Sequence, residues 1–379
     1  MPFEFGALRR HPDVEGPGLE ASDAADRLIL DEAAALIGAA GPGEVVVIDD
    51  SYGALALAAA DAGARGIRVH QDLVTGERAL AENARRLGLG SEVRSLPLGP
   101  ALVAGARVVL MRLPRSLDRL DEVSQLISEH ADRGVVVAAG GRIKHMSLAM
   151  NDVLGRSFAR VDVSRARQKS RVLLAREPVV PPRPPAPVAV HWPRSARHDD
   201  LGLTVVAHGG VFAGTGVDIG TRFLLEQLGD AVPDAATAVD LACGTGVVAA
   251  WLARERPALR VTATDRSASA AASALLTADA NGVGDRVHVT RADGLEALPD
   301  ASERLIVLNP PFHSDAAIST GIAAHLFTDA ARVLAPGGEL WCVWNSHLAY
   351  RPLLERVVGR TRQIARNPKF TVTASRRAA

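Results

Sequence analysis

Two cysteines in 379 residues leave no material for a disulfide framework, and their surroundings exclude a structural metal as well. Cys243 and Cys342 sit in apolar, strand-like segments without ligand spacing, which points to a reducing compartment and no zinc site. No apolar run approaches membrane-spanning length, and Met1–Arg10 lacks a long apolar core, so a soluble, cytoplasmic protein is expected. Aromatic residues make up only 4% of a chain that is 47% hydrophobic, so its cores must be built from Ala, Val and Leu, as in α/β layers. Lysine is nearly absent (Lys144, Lys169 and Lys369) while arginine is abundant, a mark of a GC-rich bacterial genome. The formal net charge is zero, which argues against an indiscriminate nucleic-acid binder.

Charge is nevertheless unevenly distributed. The first fifty residues are acidic. Between Arg142 and Arg176 the balance reverses, with Arg142, Lys144, Arg156, Arg160, Arg165, Arg167, Lys169, Arg171 and Arg176 opposed only by Asp152 and Asp162. The tail from Arg351 is basic too. Such local excess suits the phosphates of a nucleic acid. The alternation over Arg165, Arg167, Lys169 and Arg171 reads as a strand with one basic face.

The chain is long enough for two domains, and Glu177-Pro-Val-Val-Pro-Pro-Arg-Pro-Pro-Ala-Pro187 is the clearest boundary. Proline at that density reads as an extended, semi-rigid connector. The expected division is 1–176, a linker over 177–204, and 205–379. The halves look like an internal duplication. Val45-Val-Val-Ile-Asp-Asp-Ser-Tyr-Gly-Ala-Leu55 resembles the strand–turn–helix start at Ala238–Val247. Helices ending Ala81-Glu-Asn-Ala-Arg-Arg-Leu-Gly and Thr277-Ala-Asp-Ala-Asn-Gly-Val also correspond. Apolar strands alternating with amphipathic helices predict a parallel sheet in each half, that is, two tandem Rossmann-like α/β domains.

Asn309-Pro310-Pro311-Phe312-His313 follows the apolar run Leu305–Leu308 and reads as a strand ending in a catalytic loop. An Asn side-chain oxygen and the Pro310 carbonyl can accept both hydrogens of a planar exocyclic amine. Pro310 and Pro311 stiffen the turn, and Phe312 offers a face for a flat base. An aryl amine is a poor nucleophile because its lone pair is delocalised. Two fixed acceptors draw the nitrogen towards tetrahedral geometry, which suits N-methylation without a strong base. Upstream, Thr237-Ala-Val-Asp-Leu-Ala-Cys-Gly-Thr-Gly246 reads as a strand, a glycine turn and a helix start. Asp240, Gly244 and Gly246 lack the third glycine of a dinucleotide site, which makes S-adenosylmethionine the better cofactor. Asp240 would orient the turn or meet the methionine end through water. Asp265, ending a second strand, suits ribose hydroxyls, and Asp293, ending a third, suits the adenine amine. Asp218 is either a helix-start carboxylate or a seat for the cofactor ammonium.

Asp240–Gly246, Asp265, Asp293 and Asn309–Phe312 resemble the motifs of class I S-adenosylmethionine-dependent methyltransferases. A finer resemblance, to bacterial ribosomal RNA guanine-N2 methyltransferases, rests on Val211-Phe-Ala-Gly-Thr-Gly-Val-Asp-Ile-Gly220, Asn309–His313, Asn345-Ser-His-Leu-Ala-Tyr350 and Asn367-Pro-Lys-Phe-Thr-Val372. The large-subunit (23S) enzymes are the nearer subgroup, and Ala213-Gly214 departs from the family's usual Ser-Arg. The resemblance implies methylation of a guanosine N2 in ribosomal RNA by a monomer, with S-adenosylmethionine as cofactor. Asn309 and Pro310 would hold the amine and Phe312 the base, while Arg165, Arg167, Lys169, Arg171 and His313 would contact RNA. Other readings are a protein glutamine or DNA adenine methyltransferase, a non-catalytic RNA-binding assembly factor, and, less well supported, a nicotinamide dehydrogenase. In the first half, Leu55 is expected to replace the second glycine, and Arg112-Leu-Pro-Arg115 replaces the catalytic turn. That half should therefore be a degenerate copy, kept for RNA recognition or as a structural brace.

Overall fold

The computed structural model describes residues 3–179, 191–311 and 316–378. The chain divides into two units, Met1–Trp192 and Pro193–Ala379. In the first, α1 (Ala24–Ala39) precedes β1 (Val45–Ile48), α2 (Ala54–Asp61), β2 (Ile67–His70), α3 (Val74–Arg86) and β3 (Val93–Ser95). There follow α4 (Pro100–Val103), β4 (Val108–Arg112), α5 (Leu117–His130), β5 (Val136–Arg142), α6 (Leu148–Ser157), β6 (Phe158–Val163) and β7 (Ser170–Pro178). The second unit opens with a hairpin, β8 (Arg194–His198) and β9 (Leu203–Ala207), then α7 (Ile219–Leu225), β10 (Thr237–Leu241), α8 (Val247–Glu255) and β11 (Arg260–Asp265). It continues with α9 (Ala268–Ala280), β12 (Val287–Arg291), β13 (Glu303–Leu308), α10 (Ala316–Val333), β14 (Leu334–Asn345), α11 (Arg351–Val357), β15 (Thr361–Arg366) and β16 (Phe370–Arg376).

Both units carry one seven-stranded sheet, in the orders β3-β2-β1-β4-β5-β7-β6 and β12-β11-β10-β13-β14-β16-β15, the same topology twice. Five parallel strands are followed in each by an antiparallel pair. Helices cover both sheet faces, so the central strand β1 is an unbroken apolar run and β10 is apolar apart from Thr237 and Asp240, giving each unit two cores. The duplication extends to single side chains. Asn83 of α3 brackets the backbone of Arg9, accepting from its N–H at 3.0 Å and donating to its carbonyl at 2.8 Å. Asn281, just past α9, does the same to Thr204 at 2.9 and 2.7 Å. In each unit one asparagine thus pins the segment that enters the fold.

Two local expectations change, and one further detail emerges. Arg165–Arg171 is not one strand: Gln168 and Lys169 have positive φ, and an Arg167–Ser170 bridge closes a tight connection from β6 to β7. Arg165, Arg167 and Lys169 therefore project from a turn and Arg171 from β7, all four exposed. α10 ends at Val333 and β14 begins at Leu334, so Ala335–Gly338 lies inside the strand. The four residues bulge within the β13–β14 ladder, between the Glu303–Leu334 and Leu305–Glu339 pairs. Glu177 and Pro178 belong to β7 and residues 193–204 to the second unit, while 180–190 lie outside the described residues.

Candidate active site

The site lies where β10, β11 and β13 end together. After Leu241 the chain turns through Ala242, Gly244 and Gly246, all at positive φ, and enters α8 with Gly246 as its N-cap. Gly246 is obligatory for packing as well as for φ: a Cβ there would lie 2.7 Å from the Ala274 Cβ and 2.8 Å from its Cα. At Gly244 a Cβ would meet nothing within 4 Å, so that side of the turn is open to a ligand. Asp265, at the end of β11, ties the turn down. One carboxylate oxygen accepts from the Gly244 N–H at 3.0 Å and the other from Ser267 N–H at 2.9 Å.

Asp240 is only 3% exposed, and its carboxylate accepts from the Ala249 N–H at 3.0 Å, so it orients the first turn of α8. Burial pushes its carboxyl well above the ordinary range. Asp293 is partly exposed, 3.7 Å from the His325 imidazole on α10, and its N–H donates to Glu296. Cys342 is buried in β14, whereas Cys243 lies in the glycine turn and is only partly buried. No group of three metal-ligating side chains occurs among the described residues. No helix among them is long and apolar enough to cross a membrane.

Asn309 follows β13 directly, and its position is fixed by residues far away in sequence. Its amide nitrogen donates to Thr221 Oγ1 at 3.0 Å and to Asp218 Oδ2 at 3.4 Å. Asp218 is the N-cap of α7, accepting from the Gly220 and Thr221 N–H groups at 2.8 and 3.2 Å. Nothing in the sequence ties Thr221 to Asn309, and Asp218 is a helix cap that also touches the Asn309 turn. Pro310 is buried and Pro311 exposed, whereas Phe312 and His313 lie outside the described residues.

The first unit shows what has been lost. Asp49, Ser51 and Gly53 have positive φ at the spacing of Ala242, Gly244 and Gly246, and Gly53 caps α2 as Gly246 caps α8. Gly53 therefore matches the second glycine, not the first. Leu55 is a fully buried α2 residue rather than a substitute for it, and the missing glycine is the one occupied by Ser51. The register of β1 and β2 puts Gln71 where Asp265 stands. That of β1 and β4 puts Arg112 where Asn309 stands. Asp50 has taken over anchoring of the helix start, accepting from Leu55 and Ala56 N–H at 2.8 Å each.

Residues 202–374 match the methyltransferase small domain and residues 1–179 the RLMG N-terminal domain. The ribosomal RNA large subunit methyltransferase G of Streptomyces avermitilis is 35% identical over 98% of this chain and 97% of its own length. The protein of the same name from Pseudomonas aeruginosa is 36% identical, with the same coverage. The chain belongs to the ribosomal RNA large subunit methyltransferase G family. Its fold matches the solved T. thermophilus 16S rRNA N2 G1207 methyltransferase in complex with AdoMet and guanosine, with a TM-score of 0.73 and 23% identity over 96% of this chain and 97% of that one. This family's two halves are here two copies of one sheet topology, only the second of which keeps the glycine turn and the asparagine.

Proposed function

We propose that this chain transfers a methyl group from S-adenosylmethionine to the exocyclic N2 of a guanosine in 23S ribosomal RNA, in the cytoplasm where that RNA is assembled. The observation that carries the reading is Asn309, held at the end of β13 beside the open glycine turn, in a chain whose relatives are large-subunit methyltransferases. Gly244, Gly246 and Asp265 would hold the cofactor, with Asp240 acting through the α8 start and Asp293 at the adenine side. The cofactor, when bound, supplies a methyl carbon made electrophilic by its sulfonium. Asn309 Oδ1 and the Pro310 carbonyl accept the amine hydrogens, align the nitrogen and expose its lone pair. Phe312 would stack on the base, and the guanosine must leave its stack to reach this corner. Arg165, Arg167, Lys169, Arg171 and His313 would contact flanking RNA.

Incubation of the full chain with labelled S-adenosylmethionine and either deproteinised 23S RNA, DNA or a release-factor protein separates the readings. Label on guanosine N2 of the RNA is the expected result; label on protein glutamine or DNA adenine alone would overturn it. Asn309→Ala should reduce turnover by about a hundredfold or more while leaving cofactor affinity within a few-fold. Near-normal turnover in that variant would remove Asn309 from the chemistry.

A further inference from the structure

The Asn309 amide has two ends, and only one of them can serve an amine. If the NH2 end faced the substrate, it would oppose the substrate's own N–H donors, and the acceptor would be lost. Which end points inward is set by what the other end touches. Thr221 Oγ1, at 3.0 Å, does not choose, because a hydroxyl both donates and accepts. Asp218 does choose: a carboxylate only accepts, so the end of Asn309 lying 3.4 Å from it must be the nitrogen. The carboxylate is itself held by the Gly220 and Thr221 N–H groups at the start of α7. Gly220 makes room for it, since a Cβ there would sit 2.9 Å from Asp218 Oδ2 and 3.0 Å from the Phe370 ring of β16.

We infer that Thr221 and Asp218 are positioning residues that lock the Asn309 amide with its oxygen towards the substrate. Thr221 supplies the shorter contact and Asp218 the polarity. The inference rests on the reading of Asn309 as the acceptor of the amine. Neither residue touches substrate in this scheme; both act through Asn309, and through it alone. The first unit supports the logic from the opposite side. There the α1 N-cap Asp23, together with Asp26, accepts from Arg112, which stands at the asparagine's place and presents no acceptor at all.

The test compares Thr221→Val, Thr221→Ser, Asn309→Ala and the Asn309→Ala/Thr221→Val double variant, using the full chain, labelled S-adenosylmethionine and deproteinised 23S RNA. Thr221→Val keeps the side-chain shape and removes the acceptor. Its kcat should fall by about tenfold to a hundredfold, with the RNA KM and cofactor affinity within about threefold of wild type. Thr221→Ser should stay within about threefold of wild type in kcat. In the Asn309→Ala background, Thr221→Val should change the residual rate by less than about twofold. A Thr221→Val enzyme with wild-type kcat would overturn the inference, as would equal loss in both backgrounds, which marks a general structural role. If instead Asn309→Ala itself turns over normally, the reading of the catalytic corner fails and takes this inference with it. Circular dichroism melts accompany each variant. If Thr221→Val does not fold, Asp218→Ser, a residue that still caps the helix but offers a hydroxyl in place of the carboxylate, carries the same comparison.

Discussion

Arg112 stands at the strand end where the second unit has Asn309, and its guanidinium lies 2.6 Å from the carboxylate of Asp26. Asp26 is fully buried and Arg112 largely so, with Asp23 as a second partner at 3.2 Å. The ion pair fills the corner that, in the proposed reading of the other copy, receives the substrate.

Arg112→Ala should therefore destabilise the first unit by about 3–5 kcal/mol, because it strands a buried carboxylate. Removing both charges, as Arg112→Ala/Asp26→Ala, should recover part of the loss. Urea unfolding of the full chain measures both, and cofactor titration should show no change in either variant. An unfolding curve that does not move would dismiss the pair as a structural element.

The two glycines of the second-unit turn should fail in different ways. Gly246→Ala puts a methyl against the α9 backbone at a left-handed φ and should lose more than about 2 kcal/mol. Gly244→Ala meets no protein atom, so about 1 kcal/mol of backbone strain is its only effect on stability. It should nevertheless weaken cofactor binding, because its methyl projects into the open side of the turn. Thermal unfolding and calorimetric titration of S-adenosylmethionine distinguish the two, and a Gly244→Ala protein with full cofactor affinity would contradict the placement of that ligand.

Asp50 gives the first unit a pH dependence. Burial pushes its carboxyl up to about 7, despite the opposing pull of the Leu55 and Ala56 N–H donors. The folded state thus holds the proton more tightly than the unfolded chain, whose aspartates titrate near about 4. The stabilisation is complete below that value and is lost as pH rises towards 7, on the order of a few kcal/mol. Asp50→Asn should flatten the slope of the first-unit transition between these pH values. Parallel slopes in calorimetry at several pH values would show that the group does not titrate there.

Lys169, Arg165 and Arg171 are exposed around the β6–β7 turn, while Arg167 is already paired with Asp31 of α1. Reversing Arg165 and Lys169 to Glu should weaken RNA binding and lower the salt dependence of log Kd by about one unit per lost phosphate contact. Arg167→Ala should have a smaller effect. Filter binding across a salt series reads both; an unchanged slope would place the RNA elsewhere.

The doubly repeated sheet was legible because a parallel strand covered on both faces must be mostly apolar, and such runs end in recognisable turns at Gly246 and Asn309. What these turns need chemically is also written locally: backbone freedom, an amide and a rigid proline. Other features were hidden because they depend on φ or on distance. Ser51 rather than Leu55 replaces the missing glycine, since residue type alone does not reveal where a helix cap falls. The basic alternation around Arg167 imitated a strand, but positive φ at Gln168 and Lys169 makes it a turn.

The amino-acid order therefore determined the two copies, the glycine turn and the asparagine, all of which are short-range patterns of apolarity and backbone freedom. Only the tertiary structure decided which end of the Asn309 amide lies against Thr221 and Asp218, and which carboxylates Arg112 meets in the other copy. Both depend on contacts to helix starts more than eighty residues away in sequence, where packing alone brings a carboxylate within reach.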